Sequence, residues 1–158
     1  MKSNQEIAEI LERIANLMEL RKDDPFKIRS YRGAAELIAE LQTPLGEMAR
    51  SGGAAELRRL PGIGDAISKK IVEILETGTT PLYEELQAEI PLTVLDLLSI
   101  DGIGLKTVEI LHRQFHITSL DEFAKFVSGG GLDSVPRLGP KAQSRVRAAL
   151  EARGYKFK

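Results

Sequence analysis

The sequence predicts an all-α protein built as two small helical units. Three observations lead there. Apolar residues recur at helical spacing along most of the chain, helix-starting Ser, Asp and Pro residues precede those stretches, and glycine-rich breaks separate them. Strand-like alternation does not persist beyond a few residues.

The first helix follows from Ile7, Ile10, Leu11, Ile14, Leu17 and Met18, which fall on one stripe, with Ser3 and Glu6 as a capping box in front. Asp24-Pro25 opens a second helix, whose apolar residues include Phe26, Ile28, Tyr31, Ala34, Ala35, Ile38 and Leu41. Thr43-Pro44 starts a third, stopped at Ser51-Gly52-Gly53. A fourth runs over about 54–60, Pro61-Gly62-Ile63-Gly64 breaks it, and a fifth follows to about Thr77-Gly78. The second half repeats this plan. Pro81 opens a helix to about Ala88 and Pro91 another to about Ser99. Asp101-Gly102-Ile103-Gly104 is the break, and a helix resumes over 105–115. Ser119 with Glu122 forms a further capping box, Gly129-Gly130-Gly131 is a loop, and Pro140 opens the last helix. The boundary is expected at 77–81, giving units 1–80 and 81–158.

A length of 158 residues suits one ordinary domain or two very small ones, and 42% apolar residues suffice for a packed core. The absence of Cys excludes disulfides and thiolate metal sites. No apolar run approaches the ~20 residues of a membrane span, and the N-terminus lacks a signal-peptide core. These features give the expectation of a cytoplasmic or nucleoid-associated protein without membrane contact. Net charge is −1, but its distribution is uneven. Residues 82–101 carry Glu84, Glu85, Glu89, Asp96 and Asp101 with no Lys or Arg. Residues 136–158 carry Arg137, Lys141, Arg145, Arg147, Arg153, Lys156 and Lys158 against Glu151 alone. A local phosphate-binding face is compatible with this pattern, and so is a solvated helix face.

Two segments align forty residues apart. Leu60-Pro61-Gly62-Ile63-Gly64 and Ile100-Asp101-Gly102-Ile103-Gly104 each precede a helix, and Val135-Pro136-Arg137-Leu138-Gly139 is a degenerate third copy with Arg137 in the first glycine position. Two helices joined by so tight a turn need glycine for positive φ and close backbone approach. The Ile between the glycines points inward and pins the turn. The next helix then begins with free N–H groups and the positive end of its dipole, a site for a phosphate oxygen that touches no base edge. This is the logic of a helix-hairpin-helix motif. It makes Gly62, Ile63, Gly64, Gly102, Ile103 and Gly104 candidate DNA-backbone contacts, with Lys69, Lys70, Lys106 and Lys141 adding charge. A plain helix–helix turn is the alternative. A dinucleotide fingerprint does not fit, because it needs a preceding strand and a third glycine.

The stretches Asp24-Pro25-Phe26-Lys27-Ile28-Arg29-Ser30-Tyr31-Arg32, Leu60-Pro61-Gly62-Ile63-Gly64 with Lys69-Lys70-Ile71, Ile74-Leu75-Glu76-Thr77-Gly78 and Ile100-Asp101-Gly102-Ile103-Gly104 together resemble the N-terminal region of family X DNA polymerases, the group that includes DNA polymerase beta and bacterial PolX. The resemblance implies a lyase-type helical domain followed by a DNA-gripping subdomain. The palm with its catalytic aspartates comes later in that family, so no polymerase active site is expected within these 158 residues. It further implies that the first hairpin holds DNA downstream of a gap and the second the primer side. The resemblance also implies that no cofactor is required, and that K+ or Na+ would bridge hairpin carbonyls to a phosphate when DNA is bound. The matching carbonyls are those of Arg58, Leu60 and Ile63, and of Leu98, Ile100 and Ile103. Lys27, Tyr31 and Arg58 match a 5′-phosphate pocket, and a further family lysine falls at Ala66. Lys70 matches the Schiff-base lysine of members with deoxyribose phosphate lyase activity.

The expected function is therefore non-sequence-specific binding to gapped, nicked or 5′-phosphorylated DNA in repair, alongside other repair proteins. A lyase working through Lys70 and a helical protein-interaction module are the alternatives. His112 and His116 stand four apart, but no carboxylate or Cys neighbours them at ligand spacing, so no metal site is expected there.

Overall fold

A computed structural model describes residues 1–157, so the Lys158 end of the basic C-terminal run lies outside the described residues. The described residues are helical throughout, without a strand. They fall into two compact units, Met1–Glu89 and a second beginning at Ile90.

In the first unit α1 (Asn4–Arg21) carries the expected capping box. The Ser3 hydroxyl accepts from the Glu6 N–H, and the Glu6 carboxylate accepts from the Ser3 N–H. Its stripe of Ile7, Leu11, Ile14 and Leu17 is fully buried against α2 (Pro25–Glu40), and each such side chain contributes about 1.5–3 kcal/mol. Asn4 ties the next turn to α1. Its amide donates to the Thr43 carbonyl at 2.9 Å, and its Oδ1 accepts from the Leu45 N–H at 2.8 Å. Helix α3 (Leu45–Leu57) is interrupted at Gly53, where φ is 62° and ψ −150°, which matches the stop read at Ser51–Gly53. It packs against α4 (Asp65–Thr77), and the two are the legs of the first hairpin.

Helix α5 (Pro81–Glu89) belongs to this unit, so the division falls after Glu89 rather than at 77–81. Tyr83 and Leu86 are buried, α5 packs on α1, and Arg21 donates to Glu89 at 2.9 Å while lying 3.5 Å from Glu85. Periodicity marks α5 as a helix but carries no information on which core it joins. The acidic face of α5 is solvent-exposed and has Arg21 beside it as a cation.

The second unit begins with a 3-10 helix, Leu92–Ser99, where an α-helix was expected. Then come α6 (Leu105–Phe115), α7 (Leu120–Ser128), a 3-10 turn at Gly131–Ser134 in place of a loop, and α8 (Pro140–Ala152). Leu97, Val108, Leu111, Phe123, Val146 and Leu150 form its core. Ser119 caps α7 through the Glu122 N–H, but the Glu122 carboxylate accepts from the N–H and hydroxyl of Thr118, one residue before the expected box partner. No described helix is long and apolar enough to cross a membrane.

Candidate nucleic-acid interface

The turns of the repeat share one geometry. Gly62, Gly102 and Arg137 occupy the same register and all have positive φ, 86°, 94° and 69°. In the first two, the middle residue closes the turn. Ile63 N–H donates to the Leu60 carbonyl at 3.1 Å and Ile103 N–H to Ile100 at 3.0 Å, and both isoleucines are buried as expected. Each following helix opens with the same bond, Ser68 to Gly64, Val108 to Gly104 and Gln143 to Gly139, each 3.0 Å.

The three helices that follow these turns share one kind of start. Helices α1, α2 and α7 are capped by the side chains of Ser3, Asp24 and Ser119. Helices α4, α6 and α8 begin on Gly64, Gly104 and Gly139, with no side-chain cap. These glycines are extended, with φ of −92°, −102° and −81°, which any residue adopts. A Cβ added to any of them meets nothing within 4 Å. Neither backbone strain nor packing accounts for them, beyond the ~1 kcal/mol by which glycine outranks alanine as a helix cap. What the missing Cβ provides is a clear approach to the leading amides of the helix. Gly102 differs, because a Cβ there would lie 3.4 Å from Val146 Cγ2 and 3.5 Å from the Ala142 carbonyl.

The first hairpin opens into a cleft of about 960 Å³. Lys27, Tyr31, Arg58, Lys70 and the Gly62–Gly64 turn all line it, so residues far apart in sequence converge. Lys27 is exposed and Lys70 half-buried. Tyr31 is 5% exposed. Burial, with the Glu73 charge behind it, pushes its phenol up to about 12, so it remains a neutral donor at ordinary pH. Ala66 also lines the cleft.

Two features of the cleft escaped the sequence reading. Phe26, taken there as an apolar residue of the second helix, is 67% exposed and stands on the cleft wall. The signal was present, since it falls off the spacing of Ile28, Tyr31, Ala35 and Ile38. Lys69 does not line the cleft. Its Nζ sits 3.1 Å from Asp65 Oδ2, while Arg58 Nη1 donates to Asp65 Oδ1 at 3.0 Å. The Lys69 ammonium first, then the Arg58 guanidinium, hold the Asp65 carboxyl below the usual carboxylate range.

In the second unit Lys106 and Lys141 are exposed in the first turns of α6 and α8. Arg145 grips Asp101 with two bonds, 2.7 and 3.2 Å, and lowers its carboxyl. Among the described residues, the carbonyls of Arg58, Ile63, Leu98 and Ile103 accept no hydrogen bond, while those of Leu60 and Ile100 each accept one from within their turn. The third turn is different. Leu138 corresponds to Ile63 and Ile103, and its carbonyl accepts from Gln143 Nε2 at 3.0 Å. Burial first, then the neighbouring His116, keeps His112 below the usual histidine range. No group of three or more His, Cys, Asp or Glu among the described residues could hold a metal ion.

Residues 2–80, half of the chain, match the family described as a helix-hairpin-helix domain. The chain belongs to the helix-hairpin-helix family. Residues 94–152 match a SAM-like helix-hairpin-helix tandem, which takes in the second turn and the degenerate third. The DNA polymerase/3'-5' exonuclease PolX of Bacillus subtilis (strain 168) is 27% identical over 150 residues. That alignment covers 95% of this helix-hairpin-helix chain and 25% of the relative, so the chain spans about a quarter of the relative's length. Together these likenesses uphold the resemblance to the N-terminal region of family X DNA polymerases.

Proposed function

We propose that the chain grips the sugar-phosphate backbone of DNA without reading base sequence, and that it prefers gapped, nicked or 5′-phosphorylated duplex. The observation that carries this is the set of glycine-started helices, α4, α6 and α8, whose leading amides are left uncapped beneath open space. An amide-lined helix start suits a phosphate oxygen, and without a side chain there to read base edges the contact positions but does not specify. The name of the Bacillus subtilis relative, a DNA polymerase, points to the same class of ligand.

The preference for ends and gaps is argued from the first cleft. Lys27, Lys70 and the Tyr31 hydroxyl suit the extra charge of a terminal phosphate, and exposed Phe26 suits stacking on a base that a break in the duplex has left unpaired. The carbonyls of Arg58, Leu60 and Ile63, and of Leu98, Ile100 and Ile103, suit K+ or Na+, a hard cation that would screen a phosphate against the backbone oxygens. The third turn suits it less, since Gln143 already occupies the Leu138 carbonyl.

Fluorescence titration of gapped, nicked and intact duplexes across a range of salt tests this reading. Affinity should fall as salt rises, with a log–log slope of about −0.9 per phosphate neutralised, and gapped 5′-phosphorylated duplex should bind best. An affinity indifferent to salt would argue against backbone binding.

One observation favours a second reading. Lys70 faces the same cleft as Lys27 and Tyr31 and, unlike Lys69, is not held by Asp65. An amine so placed suits Schiff-base attack on the sugar aldehyde of an abasic end. Borohydride trapping on an abasic substrate tests it, and an adduct unchanged in Lys70→Ala would end it.

A further inference from the structure

Asp65 is the first residue of α4, where a carboxylate is ordinarily explained by the helix dipole. That explanation covers its position but not its contacts. One oxygen takes Arg58 Nη1 at 3.0 Å and the other takes Lys69 Nζ at 3.1 Å. The two cations come from opposite legs of the hairpin, Arg58 at the end of α3 and Lys69 within α4. The corresponding first residues of α6 and α8 are Leu105 and Pro140, so the first hairpin alone places a negative charge at its helix start. The side chains of Arg58, Lys69 and Asp65 are 41%, 65% and 65% exposed. Exposed pairs of this kind are weak and exchange readily with other ions.

We propose that Asp65 is an internal anion of the first hairpin, occupying Arg58 and Lys69 until a backbone phosphate displaces it, and thereby setting how weakly this hairpin holds DNA. The proposal rests on the backbone-binding reading above and names a residue that determines its strength. A phosphate diester approaching the α4 amides meets two cations already shared with one carboxylate, and a like charge at the first residue of the helix. Like charges a few ångströms apart repel even through water, and the repulsion fades as salt rises. The hairpin therefore engages DNA with less net charge than its basic residues suggest.

The test is Asp65→Asn, which keeps the shape and removes the charge, beside Asp65→Glu, which keeps the charge. Binding to gapped duplex is measured for both at several salt concentrations, with thermal unfolding in parallel. Asp65→Asn should bind roughly three- to tenfold more tightly at low salt, and its salt slope should steepen by up to about 0.9 as a further phosphate is fully neutralised. Its unfolding temperature should fall slightly, because the dipole contact is lost. Asp65→Glu should stay within about twofold of the parent, the net charge being the same. Tighter binding with lower stability separates this role from a merely structural one, which lowers stability without any gain in affinity. Unchanged or weaker binding by Asp65→Asn overturns the proposal. A parent chain with no affinity for any duplex would instead sink the backbone-binding reading itself.

Discussion

Gly62 and Gly64 stand two residues apart in one turn, yet they answer to different demands. Gly62 holds φ at 86°, a conformation that costs other residues about 1–2 kcal/mol. Gly64 is extended, and the space where its side chain would be is open. Gly62→Ala should therefore destabilise the first unit by about 1–2 kcal/mol. Gly64→Ala should cost about 1 kcal/mol or less, the difference between the two as helix caps. Chemical denaturation of the two variants checks this.

Arg137 occupies the Gly62 register of the third turn with φ at 69°. Arg137→Gly relieves that conformation but loosens the unfolded chain, so a net gain of about 0.5–1 kcal/mol is expected. Gly102→Ala is expected to do the opposite and to cost about 1–2 kcal/mol, because φ there is 94° while the neighbouring Val146 and Ala142 lie only in ordinary contact. Urea unfolding of the two variants measures both signs.

Tyr31 carries a phenol pushed up to about 12, chiefly by burial. The folded protein favours its protonated form over the unfolded chain, whose phenol ionises near 10. This contribution to stability is complete below pH 10 and disappears as pH rises through about 12. Ultraviolet absorbance during alkaline titration should show one tyrosine ionising last and with unfolding, and Tyr31→Phe should remove that step.

Lys27 and Lys70 face one cleft, although 43 positions separate them in sequence. Lys27→Ala and Lys70→Ala should each weaken binding to 5′-phosphorylated gapped duplex roughly tenfold, the scale of a charge-assisted hydrogen bond. Binding to the same duplex ending in a 5′-hydroxyl should change less. Paired titrations on the two substrates provide the comparison.

The parts of this molecule that are periodic were legible in the sequence. The Ile7–Leu17 stripe, the Ser3 cap and the Gly-Ile-Gly turns are local patterns, and local geometry follows from them. The convergence of Lys27, Tyr31 and Arg58 was legible only through resemblance, because nothing in the spacing of those residues states that they meet. Side-chain direction was not legible. The spacing of Lys69 does not state that its ammonium pairs with Asp65, and Gln143 gave no sign that its amide fills the Leu138 carbonyl. The placement of α5 was hidden for a similar reason. Its tie to Arg21 is an ion pair across 68 positions, with no periodic trace.

The amides beneath Gly64 and Gly104 are the core of the account, and the double variant Gly64→Ala/Gly104→Ala tests them directly. Both sites accept a methyl group without meeting protein, so the variant should stay folded, at a cost of about 2 kcal/mol or less. Its affinity for gapped duplex at fixed salt should fall at least tenfold, with a shallower salt slope as phosphate contacts are lost. A folded double variant that binds as tightly as the parent, with the same slope, would contradict the account.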